Sequence, residues 1–172
     1  MVICAIGAAP LIPPILGADG SNVLWAGDSL FVPERMGQYI VNVGAGQVGC
    51  ETAVYYGMQG KRVTVLEMMP EIARDAMRTY REELIGQLAD NHCVVFTGCK
   101  CLEISAGRVI YQDSEGQRGE LKADTVLLAV GMRSRRKEAE TFRKCAPIFR
   151  KIGDCGKVGT VRLAVRHGWN VA

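Results

Sequence analysis

Three features of the chain predict an α/β fold with a doubly wound parallel sheet. Short apolar, β-branched runs alternate with stretches of helical length between residues 39 and 96. A glycine-rich turn, Gly44-Ala45-Gly46-Gln47-Val48-Gly49, joins one such run directly to a helical stretch. A block of short segments, broken by Ala106-Gly107 and Ser114-Glu115-Gly116, then precedes a last apolar run and reads as an antiparallel meander. A length of 172 residues, 48% apolar and 23% charged, is enough for a packed core.

The elements follow in order. Val2 to Ile6 reads as a buried strand with a sharp exit at Gly7-Ala8-Ala9-Pro10. Leu11 to Pro33 is rich in Pro, Gly, Asp, Ser and Asn and reads as an irregular connection. Tyr39–Val43 is the next strand. Gln47 to Gln59 is a helix, with Val48, Thr52, Tyr55 and Tyr56 at helical spacing and Gly60 at the C-cap. Arg62–Leu66 is a third strand and Arg78–Asp90 a second helix, with Leu84, Ile85 and Leu88 as its apolar stripe. Cys93–Phe96 is a short strand. The meander spans about 99–122, with segments at Leu102–Ile104, Arg108–Gln112 and Gly119–Leu121, and Thr125–Val130 is the final strand. Right-handed crossovers between parallel strands then place helices on both faces of the sheet.

Charge and cysteine content exclude several classes. The net charge of +3 is too small to argue for a nucleic-acid partner. Residues 133–151 carry a net +6, which leaves −3 on the rest. Without interleaved aromatics, that stretch reads as a solvated face or a surface toward another domain rather than a nucleic-acid patch. No apolar run reaches the roughly 18 residues of a membrane span. The start, Met1 to Pro14, lacks the basic segment of a secretory leader. Seven cysteines, an odd number, then argue for reduced thiols and a cytoplasmic setting. Cys99-Lys100-Cys101 is a CxC without a second pair, so no metal or iron–sulfur site is expected.

The chemistry lies in the glycine turn. GxGxxG alone is a weak pattern, but a preceding strand and a following helix are the context it requires. Gly44 permits the turn, Gly46 lets a dinucleotide pyrophosphate approach the backbone, and Gly49 lets the helix pack on the sheet. The free N–H groups at the helix start, Gln47 and Val48 among them, would hold the pyrophosphate. Glu67 closes the next strand, 18 residues after Gly49, where a carboxylate accepts from the adenosine ribose hydroxyls and repels a 2′-phosphate. That favours NAD. Arg74, seven residues on, could instead meet a 2′-phosphate. Glu51 is either a first-turn acid favoured by the helix dipole or a carboxylate on the nicotinamide side. No Ser/His/Asp arrangement or carboxylate pair stands out, so no catalytic residue is assigned. The whole is a Rossmann-like unit with a meander crossover.

These residues resemble the two-dinucleotide flavoproteins related to glutathione reductase. Cys4-Ala5-Ile6-Gly7-Ala8-Ala9-Pro10 is similar to the segment that leaves the FAD domain for the NAD domain. Val43 to Glu51 is similar to the internal GxGxxGxE. Leu128-Ala129-Val130-Gly131-Met132-Arg133 is similar to the second exit strand, and Ile152-Gly153-Asp154-Cys155 to the "GD" motif at the FAD ribityl chain. Within the family, Gly49-Cys50-Glu51-Thr52-Ala53 and Glu67 to Asp75 resemble the C-terminal region of Old Yellow Enzyme-type NADH:flavin oxidoreductases, such as dienoyl-CoA reductases, enoate reductases and trimethylamine dehydrogenase. Ile6 and Val130 depart from the Thr of the two exit motifs, and no redox-active cysteine pair is matched.

The resemblance implies three parts: residues 1–36 as an FAD-domain edge and linker, 37–131 as the NAD(H)-binding domain, and 132–172 as the return to the FAD domain. It implies cofactor contacts from Gly44, Gly46, Gln47, Val48, Gly49, Glu51, Glu67, Met68, Arg74, Val130 and Gly131, with Gly7, Gly153 and Asp154 as a partial FAD site. The implied role is to orient NADH for hydride transfer to flavin within a larger enzyme, whose FMN and iron–sulfur centres would lie on other domains. Those domains are the implied partners, and apolar surface toward them leaves self-association open. The chain alone is not expected to retain FAD. A stand-alone nucleotide-sensing or ADP-binding module, and a small complete dehydrogenase, are the alternative readings.

Overall fold

The computed structural model describes residues 1–171. In chain order its elements are β1 (Val2–Cys4), β2 (Ala8–Pro10), β3 (Val23–Trp25), α1 (Ala26–Ser29), β4 (Tyr39–Val43), α2 (Gln47–Met58), β5 (Arg62–Leu66) and α3 (Arg78–Asp90). They continue with β6 (Val94–Phe96), β7 (Lys100–Ser105), β8 (Gly107–Gln112), β9 (Arg118–Ala123), β10 (Thr125–Leu128), β11 (Met132–Ser134), α4 (Arg136–Thr141), β12 (Phe149–Lys151) and α5 (Val161–Trp169). Short 3-10 turns lie at Pro33–Arg35, Arg143–Cys145 and Gly153–Cys155. The chain forms two compact units, residues 12–130 and residues 1–11 with 131–171.

The larger unit is built on a five-stranded parallel sheet in the order β3-β10-β4-β5-β6. From β4 the chain winds outward through α2 to β5 and through α3 to β6, then returns to the other side of β4 as β10. A right-handed return in the opposite direction must pass over the opposite face of the sheet. That face is crossed by the meander β7-β8-β9. The expectation of helices on both faces is therefore corrected: helices cover one face and a three-stranded sheet the other.

Strand alternation supplies both faces. Ile40, Val63, Val65 and Leu127 point into the helical core with Cys50, Ala53, Tyr56, Leu84 and Leu88. Val41, Val43, Leu66, Val126 and Leu128 point to the meander, against Ile104, Val109 and Ala123. On α2, Thr52 and Tyr56 of the expected stripe are buried together with Gly49, Cys50, Ala53 and Val54, while Val48 and Tyr55 are half exposed. Small residues let α2 lie close to the sheet. On α3, Leu84 and Leu88 are buried and Ile85 is exposed.

The segment read as an irregular linker behaves differently. Residues 12–36 belong to the larger unit, and Val23–Trp25 forms its edge strand, paired with β10. Three residues amid turn-forming Gly, Asp, Ser and Asn carry too short an apolar run to stand out.

In the smaller unit, β1 pairs in parallel with β12, and β2 pairs antiparallel with β11. The two exit motifs thus lie side by side, and the expected turn at Ala8–Pro10 is a strand. The basic stretch holds α4 and β12, with Arg135 paired to Glu138 and both Arg143 and Lys151 paired to Glu140. Among the described residues, no helix is long and apolar enough to cross a membrane.

All seven cysteines are free thiols; Cys4, Cys50, Cys99, Cys101 and Cys155 are buried and Cys145 is exposed. Burial pushes the Cys101 thiol up to about 11, against a weaker opposing backbone hydrogen bond at Glu103. Because thiolate is the reactive form, a thiol reagent at neutral pH is expected to label Cys145 first and the buried cysteines only on unfolding. Mass spectrometry of a labelling time course reads this directly, and early modification of Cys101 would contradict it.

Candidate dinucleotide site

The turn from β4 into α2 is shaped by close approaches. Gly44 has φ +101°, and a Cβ there would lie 2.5 Å from the Ala129 carbonyl oxygen. A Cβ on Gly49 would overlap the Gly44 carbonyl oxygen. Both ends of the turn are tied to the strand beneath by Asn42. Its buried amide nitrogen donates to the Gly44 carbonyl at 2.8 Å and to the Gly49 carbonyl at 3.3 Å. The Asn42 Oδ1 has no partner among the described residues. Sequence reading passed over Asn42, one polar residue in an apolar strand.

Gly46 is the N-cap of α2, with ordinary extended backbone (φ −65°, ψ 179°). Its missing side chain opens the approach to the helix start. The nearest atoms to a Cβ there are the carboxylate oxygens of Asp75, at 3.4 and 3.5 Å. Asp75 Oδ1 also accepts the Gln47 backbone N–H at 2.7 Å. The loop that carries Asp75 is anchored by buried Ala73 (φ +48°), whose N–H donates to the Ala45 carbonyl at 2.6 Å. The sequence held Asp75 only as the end of a resembling stretch, because the hydrogen bond spans 28 residues.

Glu67 leaves the end of β5 and reaches over the turn. Its Oε2 accepts the Ala45 N–H at 2.7 Å and its Oε1 accepts the Met69 N–H at 2.8 Å. Charge-assisted bonds of this kind fix a carboxylate firmly. Met68 and Arg74, the other predicted contacts from this loop, are exposed.

Glu51, one turn into α2, accepts from the Gln47 side-chain amide at 2.9 Å and from the Tyr80 hydroxyl at 2.7 Å, both at Oε1. The carboxylate raises the Tyr80 phenol above its ordinary value. Val48 points outward and is half exposed. Three carboxylates, Glu51, Glu67 and Asp75, thus surround the start of α2. Burial, opposed by a backbone hydrogen bond at Ala73, lifts the Cys50 thiol to about 11, and these three carboxylates push in the same direction. Val130 lies just beyond β10, with its amide near the Gly44 turn; Gly131, at φ +99°, is exposed and opens the smaller unit.

The remaining predicted residues meet in the smaller unit. Gly7, Gly153 and Asp154 line one cavity of about 340 Å³, with Ala5, Thr160 and Ala164. Asp154 Oδ1 accepts the Gly159 N–H at 3.1 Å, and Thr160 caps α5 through the Leu163 N–H. Positions more than 140 residues apart in sequence are brought together here.

The parallel sheet, the glycine turn and the meander crossover place the chain among the FAD/NAD-binding oxidoreductase folds. Residues 1–146 match the family model for pyridine nucleotide-disulphide oxidoreductase, and the chain belongs to that family. It is 33% identical over 172 residues to the bilirubin reductase of Mediterraneibacter gnavus, covering 99% of this chain and 27% of that protein. It is 34% identical over 176 residues to the NADH oxidase of Thermoanaerobacter brockii, with the same 99% and 27% coverage. Among solved structures, 2-naphthoyl-CoA reductase superposes with a TM-score of 0.90 at 29% identity, over 97% of this chain and 26% of that one. The chain therefore spans about a quarter of the length of these relatives. Members of the family are oxidoreductases that use flavin and pyridine nucleotide.

Proposed function

We propose that residues 12–130 bind NAD(H) within a larger flavin-dependent oxidoreductase and orient NADH for hydride transfer to flavin. The observation that carries this reading is the glycine turn itself. A strand ends at Gly44, a helix begins at Gln47, and the Glu67 carboxylate is fixed by the Ala45 and Met69 amides beside both.

The residues present fit a dinucleotide. The absent side chain at Gly46 leaves the helix start open to a group that can displace the exposed Asp75 carboxylate. The Gln47 N–H and the positive end of α2 would hold the pyrophosphate. Glu67, already ordered, would accept from the ribose hydroxyls. Glu51, held by Gln47 and Tyr80, would offer its second carboxylate oxygen toward the nicotinamide side. When bound, NADH supplies the hydride; no side chain here has to move a proton for that transfer.

In the smaller unit, the cavity with Gly7, Gly153 and Asp154 fits part of a flavin nucleotide. Gly7 and Gly153 leave the wall open, and the Asp154 carboxylate can accept from hydroxyl groups. We assign it as a partial FAD site completed by other domains of the parent enzyme.

Calorimetric titration with NADH, NADPH and ADP at one stated salt concentration tests the reading. NADH is expected to bind, with NADPH weaker because Glu67 faces the 2′-position. ADP binding as tightly as NADH would favour an ADP-holding domain. Binding of none of the three would overturn the dinucleotide assignment.

A further inference from the structure

The dinucleotide reading leaves one carboxylate without a role. Asp75 sits where the pyrophosphate would sit: it takes the Gln47 N–H at 2.7 Å, and its oxygens are the nearest atoms to the vacant side-chain position of Gly46. We propose that Asp75 is a displaceable internal anion that competes with the dinucleotide pyrophosphate and so sets the affinity of the site.

Two separate measures place the carboxylate there, one at the first helical amide and one over the face of the glycine. Both are features a pyrophosphate would use. The loop is held in position independently of the carboxylate, through the buried Ala73 and its bond to the Ala45 carbonyl at 2.6 Å. The side chain itself is exposed and has no ion-pair partner among the described residues, so it can swing into solvent without dismantling the loop. Its two charged neighbours at the helix start, Glu51 and Glu67, are also anionic. A pyrophosphate that arrived without displacing Asp75 would face three carboxylates at once. With Asp75 turned away, the N–H and the helix end are released to the ligand, and one like charge is removed from its path.

A carboxylate at a helix start also stabilises the helix. Asp75 therefore serves the free chain and opposes the bound one. The free chain keeps an ordered helix start, and a ligand must bring at least as good an anion to replace it. That selects dinucleotides, with two phosphates, over ligands that lack them.

This inference rests on the dinucleotide reading, and the variants separate the two. Asp75→Asn keeps an oxygen acceptor for the Gln47 N–H and removes the charge; Asp75→Ala removes both. Glu71→Gln makes the same change of net charge in the same loop, at an exposed residue paired with Arg81 at 3.3 Å. NADH and inorganic pyrophosphate are titrated into the full chain and each variant by calorimetry, with the melting temperature as a second readout. Asp75→Asn and Asp75→Ala are expected to bind both probes about tenfold more tightly, with an equal or lower melting temperature. Glu71→Gln is expected to stay close to wild type. Wild-type NADH binding with unchanged or weaker binding in both Asp75 variants would overturn the proposal and leave the reading standing. Equal tightening by Glu71→Gln would also overturn it, because bulk charge would then be the cause. No binding by any form would overturn both.

Discussion

Gly49→Ala is expected to cost both stability and cofactor affinity, whereas Gly46→Ala costs affinity alone. The two glycines belong to one motif, yet they meet different surroundings. A Cβ at Gly49 overlaps the Gly44 carbonyl oxygen, and the Asn42 amide is 3.0 Å away. Those atoms are backbone and a buried clamp, so relief requires the turn and the start of α2 to move. Overpacking of this kind costs about 1–3 kcal/mol. For a chain of this size that lowers the melting temperature by roughly 2–4 °C per kcal/mol. The same movement shifts Gly44 and Gln47, so NADH binding should fall below detection. At Gly46 the backbone is extended, and the nearest atoms are the Asp75 carboxylate oxygens at 3.4 and 3.5 Å. That side chain is exposed and can turn away. Gly46→Ala should melt close to wild type, while its methyl group blocks the approach of pyrophosphate. Scanning calorimetry and NADH titration on the pair check the split. Equal melting temperatures for both variants would show that the motif's two later glycines are not divided between packing and binding.

The elements that were legible share one property: their signal is local. Tyr39–Val43, Arg62–Leu66 and Arg78–Asp90 have the expected bounds, because short apolar runs and the stripe of Leu84, Ile85 and Leu88 suffice to mark them. The glycine turn was legible for the same reason, since strand, turn and helix are contiguous. What the sequence hid is long-range. Val23–Trp25 is a strand only because β10 lies beside it, about a hundred residues later. The face covered by the meander follows from the reversal of winding at β4, which no single segment announces. The stripe of α2 was placed in part: Thr52 and Tyr56 are buried as expected and Val48 and Tyr55 are exposed, while the small residues Gly49, Cys50 and Ala53, which periodicity weighs least, are buried as well. At the candidate site, Gly44, Gly46 and Gly49 shape the turn from β4 into α2, and Glu67 accepts the Ala45 N–H within it. Asn42, Asp75 and Tyr80 were missed: their contacts are polar, they lie outside the motif, and only the folded chain shows what they touch.

Removing the Glu67 carboxylate should collapse the proposed preference for NADH over NADPH. Glu67 has one duty in this structure and a second in the proposed binding mode. Its oxygens hold the Ala45 and Met69 amides at 2.7 and 2.8 Å, which shapes the turn and the loop after β5. In the proposed binding mode its charge would face the ribose position, where it would accept from hydroxyls and repel a phosphate. Glu67→Gln separates these duties. The side-chain oxygen can still accept one of the two amides, but the NH2 group meets the other as a donor against a donor. One unsatisfied hydrogen bond costs about 1–3 kcal/mol, so a modest fall in melting temperature is expected. Glu67→Ala loses both bonds and should melt lower still. For NADH, losing a charged acceptor should weaken binding on the order of tenfold or more. For NADPH the same loss is offset, because the repulsion of the 2′-phosphate disappears with the carboxylate. The ratio of the two affinities should therefore approach one in Glu67→Gln, with Arg74, exposed on the same loop, free to favour NADPH further. Competitive titration of the two nucleotides, with melting curves on the same samples, reads out both duties. If NADH and NADPH weaken by the same factor, the carboxylate acts only by shaping the turn, and the selectivity must be sought elsewhere in the loop that follows β5.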